Sequence, residues 1–193
     1  MAYLGISGPS SAQRADVEAA EAIARWAAAA GHVVVCGRLG GVMTAAARGA
    51  TAAGGVSVGL LPGDTRDDAA PDLTVALPTG LGELRNGLLV RAVDALVCVG
   101  GSWGTLSELA LAVRTGVPVV ALRTWLPDGA PRTANAGDLE AADGSDAADD
   151  AAGRPPQAAE GLAGPLVVGT AAQACAALER LFAGRPPGGR RTI

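Results

Sequence analysis

Short apolar runs alternate along this chain with longer Ala-rich stretches whose apolar positions recur every three or four residues. Tyr3–Ser7 is the first apolar run and reads as a strand. A helix is predicted over Asp16–Ala30, with Val17, Ala20, Ile23, Ala24 and Ala27 on one face and Gly31 ending it. His32–Cys36 is a β-branched strand, followed by a Gly-rich turn and a helix from about Val42 to Ala53. Val56–Leu61 is a third strand, closed by Pro62-Gly63, and Leu73–Leu77 a short fourth. A helix over Leu81–Ala92, a strand over Ala95–Val99, a helix over Thr105–Thr115 and a strand over Val117–Leu122 continue the alternation. Leu166–Val168 and Ala171–Phe182 supply a last strand and helix.

Repeated strand–helix units with near-continuous apolar strands predict a parallel sheet covered on both faces. The expected fold class is α/β, a doubly wound, Rossmann-like parallel sheet in a single domain over residues 1–183. Such sheets bind ligands beyond the carboxyl ends of their strands. Pro127–Gly164 breaks the pattern. It is rich in Ala, Asp, Gly and Pro, and its eight acids against two Arg make it −6. It is expected to be a flexible acidic insertion, and 184–193 a disordered tail.

Composition removes several kinds of chemistry. With net charge −4 and the insertion at −6, the rest of the chain carries about +2, and no basic stripe interleaves with aromatics. Nucleic-acid binding is not expected. All 15 basic residues are Arg. Without Lys there is no internal aldimine, hence no pyridoxal-phosphate enzyme, and no Walker-type phosphate loop. A single His, His32, and three scattered cysteines, Cys36, Cys98 and Cys175, argue against a metal site. The cysteines read as small hydrophobes in a reducing cytosol. Neither a signal peptide nor a membrane-spanning run is read, so the expected location is cytoplasmic, without a membrane partner.

Three Gly-rich loops each follow a strand and lead into a helix. They contain Gly8 and Ser10; Gly37, Gly40, Gly41 and Met43; and Gly100, Gly101, Ser102, Gly104 and Thr105. Glycine permits close backbone approach, helix N-termini favour anions, and the hydroxyls add donors. A small phosphate-bearing ligand is therefore expected, although Gly-rich turns also serve simple packing. Glu108 is expected in the first turn of its helix. It is either a partner of the helix dipole or a carboxylate aimed at a ribose hydroxyl or a cationic anomeric centre. Arg85 is either a surface cation or a fork onto phosphate, and Asn86 a cap or a ligand contact. Asp94, His32, Trp26 and Trp125 read as structural. Trp103, inside the third loop, is a candidate stacking surface.

Gly100-Gly101-Ser102-Trp103-Gly104-Thr105-Leu106-Ser107-Glu108 resembles the PGGxGTxxE signature of the LOG-like superfamily. Gly37–Met43 resembles that superfamily's upstream GGGxxGLM loop, and Thr79-Gly80 with Arg85-Asn86 stands where the family carries an Arg-Lys pair. The resemblance covers roughly residues 2–123 and resumes in the last strand and helix. It implies a homo-oligomer, a dimer or tetramer, and two alternatives for function. One branch holds nucleoside 5′-monophosphate phosphoribohydrolases, which release a free base from ribose 5-phosphate; Glu108 and Arg85 would be their catalytic pair. The other holds molybdenum-cofactor carrier proteins. The hydrolases have Pro at Gly100, Gly at Ser102 and Lys at Asn86, so the departures favour the carrier branch. The cofactor, a pterin with a terminal phosphate, is then the expected ligand, and otherwise a nucleotide or phosphate. Arg85, Asn86, Thr79 and the loop residues would line its site. The metal comes on the cofactor's own dithiolene, so no protein metal ligand is expected.

Overall fold

The computed structural model describes residues 1–37, 40–67, 69–130, 132–133 and 164–183. Most of the expected acidic insertion and the whole of the expected tail lie outside the described residues.

The elements follow the predicted alternation: β1 (Tyr3–Ser7), α1 (Arg14–Ala29), β2 (Val33–Cys36), α2 (Gly41–Ala52), β3 (Ser57–Leu61), β4 (Val75–Pro78), α3 (Arg85–Ala92), β5 (Ala95–Val99), α4 (Trp103–Arg114), β6 (Val119–Leu122), β7 (Leu166–Val168) and α5 (Ala171–Ala183). The strands form one seven-stranded sheet in the order β4-β3-β2-β1-β5-β6-β7. Every pairing is parallel.

The order reverses at β1. The chain winds outward through β2, β3 and β4, then returns to place β5 on the other side of β1, with Leu4 opposite Ala95 and Ser7 opposite Cys98. A doubly wound sheet opens its crevice at this switch point. Because all strands run the same way, the loops after β1, β2 and β5 emerge at one edge.

Alanine and small aliphatic residues make the core on both faces. On one face Leu4, Ile6, Val34, Val97, Val120 and Leu122 meet α1, α2 and α5 through Ala20, Ile23, Ala24, Ala46 and Leu178. On the other, Val35, Leu60, Leu96, Cys98 and Val119 meet α3 and α4 through Leu89, Val90, Leu109 and Ala112. Gly49 shows why so few large side chains are needed. A Cβ there would lie 3.0 Å from the carbonyl carbon of Glu21, so α1 and α2 touch almost backbone to backbone.

Several element ends shift by a residue or two, and two of the changes bear on the site. The single helix predicted over Leu81–Ala92 is a 3₁₀ turn, Gly82–Leu84, followed by α3. Gly80 and Gly82 have φ of 63° and 53°, left-handed values that a continuous α-helix does not accommodate. The helix predicted from Thr105 begins at Trp103, because Ser102 caps it by accepting from the Thr105 N–H at 3.1 Å.

Thr133 sits inside the span read as the acidic insertion, yet it is buried. It forms a parallel bridge with Leu166 and donates its hydroxyl to the Gly164 carbonyl at 2.7 Å.

Candidate functional site

The polar centre of the crevice is built from three segments. Ser7 closes β1, an otherwise apolar strand, and is buried. Glu108 lies on the second turn of α4, not the first as expected, because the cap at Ser102 moves the helix start two residues upstream. The macrodipole reading of this acid therefore loses its basis. Arg85 opens α3.

These side chains meet in one buried chain of hydrogen bonds. The Ser7 hydroxyl donates to Glu108 Oε2. Arg85 Nη1 donates to Glu108 Oε1 at 2.9 Å, with both side chains buried. Burial pushes the Glu108 carboxyl above its ordinary pKa, opposed by the Ser7 hydrogen bond and the Arg85 charge.

Gly37 lets Arg85 take this place. A Cβ on Gly37 would stand 2.6 Å from Arg85 Cζ, so the guanidinium lies directly against the end of β2. Of the two readings of Arg85, the surface cation falls away: the residue is buried at the polar centre, and its Nε is buried without a partner.

Asn86 is no cap, because α3 begins without a side-chain capping bond. Its Nδ2 donates to Ser107 Oγ at 3.0 Å, and Ser107 in turn donates to the Gly104 carbonyl at 2.8 Å. Ser107 has one proton, already used, so it can only accept from Asn86. That fixes the amide's orientation and leaves its Oδ1 buried without a donor.

The glycines tie the loops to one another. A Cβ on Gly8 would be 2.6 Å from Val42 Cβ. One on Gly41 would be 2.6 Å from the Ser10 carbonyl oxygen, and one on Gly100 would be 2.8 Å from Asp16 Oδ2. Gly40 is an intermediate case, with its Cβ position 3.0 Å from the same Ser10 oxygen. These residues are small so that the chain packs against itself at the sheet edge. Gly104 is open, with nothing nearer than Ser102 Oγ at 3.8 Å. By helix geometry the first N–H groups of α4 have no intrahelical acceptor, and Ser102 answers only that of Thr105.

The hydroxyls divide in role. Ser10 is exposed at the mouth, whereas Thr105 is buried and shares a 2.9 Å hydrogen bond with Ser102 Oγ. Thr79 does not join this group. Its hydroxyl donates to the Leu61 carbonyl at 2.7 Å and so stitches the end of β4 to β3. Met43 is buried in the first turn of α2.

Sequence reasoning passed over the Ser7 link, whose signal was one polar residue closing an apolar strand. It also passed over Asp16, whose Oδ1 accepts from Arg123 Nε at 2.8 Å beside Gly100. The structural readings of Asp94 and His32 hold. Asp94 accepts from the Tyr3 N–H at 2.8 Å and His32 from the Ala2 N–H at 3.1 Å. Cys36 and Cys98 are buried, and burial pushes the Cys36 thiol up to about 12; Cys175 is only half-buried. No helix among the described residues is long and apolar enough to cross a membrane.

Known proteins share this architecture. An uncharacterised protein of Archaeoglobus fulgidus is 36% identical over 121 residues, 62% of this chain and 79% of its own length. The molybdenum cofactor binding protein of the phototrophic bacterium Rippkaea orientalis superposes with a TM-score of 0.72, covering 94% of this chain and 97% of that one, at 24% identity. At that identity the likeness shows the fold alone. The molybdenum cofactor carrier protein of Chlamydomonas reinhardtii superposes with a TM-score of 0.70 at 28% identity, covering 94% of this chain and 98% of that one. The SLOG cluster4 family model matches residues 1–148, most of the sheet and the whole of the polar centre, and the chain belongs to that family.

Proposed function

We propose that this chain is a binding protein whose cargo is the molybdenum cofactor, held in the crevice over the carboxyl ends of β1, β2 and β5. The observation that carries the reading is the state of Glu108. Both oxygens of this buried carboxylate are already engaged, one by Ser7 and one by Arg85. A carboxylate so held fixes the guanidinium against the end of β2, a positioning role that serves binding without turnover.

The residues suit a polar, anionic cargo. The α4 N-terminus, with its first N–H groups lacking intrahelical acceptors, favours a phosphate. If Thr105 donates to Ser102, the Ser102 hydroxyl keeps its own proton for the ligand. Arg85 Nε and Asn86 Oδ1 are a buried donor and a buried acceptor without partners, which leaves the polar centre with hydrogen-bonding capacity to spare. The likeness to the Chlamydomonas carrier over nearly the full length of both chains supports the identity of the cargo. In this reading the metal is bound by the cargo's own dithiolene, and the protein works in a reducing cytoplasm, in keeping with its free cysteines.

A homo-oligomer belongs to the same proposal. Leu84 is 80% exposed, and Leu88, one turn along α3, is exposed beside it. Such an exposed apolar pair at the start of α3 suits burial against a second copy.

Gel filtration after incubation with the cofactor tests the proposal. Molybdenum and pterin fluorescence should elute with the protein at a dimer or tetramer mass, and Leu84→Asp should move the peak to the monomer. The phosphoribohydrolase reading has one observation in its favour, the upward shift of the Glu108 pKa, which suits a proton donor. In that reaction water and a nucleoside 5′-monophosphate give free base and ribose 5-phosphate. Base released from a nucleotide panel, and lost in Glu108→Gln, would replace the carrier reading with the hydrolase.

A further inference from the structure

We infer that Trp103 and Trp125 form an aromatic corner that stacks the planar ring of the ligand, beside the loop that takes its phosphate. The inference rests on the crevice being a binding site for a phosphate-bearing heterocycle.

Both rings stand out into solvent at this edge of the sheet. Trp103 is 78% exposed and Trp125 51% exposed. Trp26, the third tryptophan, packs against the core and behaves as an ordinary interior residue; the other two belong to neither core cluster. Trp103 and Trp125 lie 5.9 Å apart between ring centroids, with planes at 80°. Perpendicular rings leave a corner in which a flat heterocycle stacks face to face on one ring and meets the other with its edge.

The chain positions this corner actively. Trp103 follows the capping Ser102 and opens α4, so it borders the anion-favouring helix end. Trp125 lies on Gly101, where a Cβ would come 2.5 Å from its Cγ. The turn that delivers it after β6 contains Arg123 at φ 53°, the one non-glycine residue with positive φ among those described. That conformation is held from α1, because Arg123 donates to Asp16 and to the Ala15 carbonyl, each at 2.8 Å. Thr124 anchors the next position by donating to the Cys98 carbonyl at 2.7 Å. Trp125 is thus held at both the backbone and the ring, yet half of it remains exposed. This is the arrangement of a preorganised contact surface.

The division of labour follows. Phosphate binds at the loop and the helix end, and ring stacking adds affinity that a phosphate alone cannot draw on.

Calorimetry and tryptophan emission on the full chain test this with two probes. One is a pterin carrying a side-chain phosphate; the other is glycerol phosphate, which has the anion without the ring. The pterin phosphate should quench the emission of the parent protein. Trp103→Ala should weaken it tenfold or more, Trp103→Phe should restore much of the loss, and glycerol phosphate should bind all variants alike. Equal pterin affinity in the parent, Trp103→Ala and Trp125→Ala would overturn the corner and leave the binding reading standing. Equal loss of both probes would overturn it too, by placing the defect in the anion site. A change in oligomer mass with unchanged probe affinity would make the pair an interface between copies instead. If the parent binds neither probe, the corner falls together with the crevice reading.

Discussion

A carboxylate among aliphatic side chains is costly unless neighbours answer its charge, and Glu108 is answered twice. Arg85 is the charged support, since it brings a full opposite charge at 2.9 Å with both side chains out of water. Arg85→Ala should therefore destabilise the protein by about 3–5 kcal/mol at neutral pH, because it strands a buried charge. Losing the guanidinium also lifts the Glu108 pKa further. A folded-state pKa raised above the unfolded value gives stability that is present at low pH and lost as pH rises through the folded value. The Arg85→Ala deficit should thus shrink on acidification toward the ordinary carboxylate range, and the added Glu108→Gln change should recover part of it at pH 7. Urea melts at several pH values measure both. Arg85 and Glu108 were legible in the sequence as candidates because their types and spacing match a known signature. Their mutual contact was not, nor was Ser7's part in it, since these residues come from three separate segments.

At the scale of elements, one hydrogen-bond acceptor decides where α4 begins. Ser102 takes the Thr105 N–H, so Trp103 joins the first turn and Glu108 moves out of it. Ser102→Ala should cost ~0.5–2 kcal/mol, the usual range for a lost cap. It also leaves the buried Thr105 hydroxyl without its partner. Chemical denaturation measures that cost, while Ser102→Asp, which can still cap, should retain most of the stability. Helix interiors and strand runs were legible in the sequence because side-chain periodicity repeats over many residues. Their ends were less so, because a cap or a left-handed glycine acts through a single residue. The glycine loops show the same limit. Their composition suggested space for a ligand, but Gly8, Gly37, Gly41 and Gly100 are small for close packing within the chain.

For the whole molecule, the long passage from β6 to β7 is closed by Thr133. Its N–H donates to the Pro165 carbonyl at 3.2 Å, so the described residues on either side of 134–163 stand next to each other. Replacing 134–163 by a short Gly/Ser link should hold the melting temperature within about 2–4 °C, equivalent to ~1 kcal/mol in a protein of this size. A wider deletion, 128–161, removes Thr133 and its contacts with β7 and should lower the melting temperature by more. Calorimetry of the two variants separates these outcomes.

The alternation of apolar runs and Ala-rich helices determined, from sequence alone, that this protein is a parallel α/β sheet with glycine turns between its elements. Such information is local: each segment's periodicity states its own type and its buried face. The neighbour relations were decided by tertiary structure. That β5 lies against β1 follows from how helices cover both sides of the sheet, and it brings Ser7 within reach of Glu108 and Arg85. The Trp103–Trp125 corner has the same origin, because it joins the first residue of α4 to a turn after β6. Contacts between distant segments depend on the packing of the whole chain, and no local pattern encodes them.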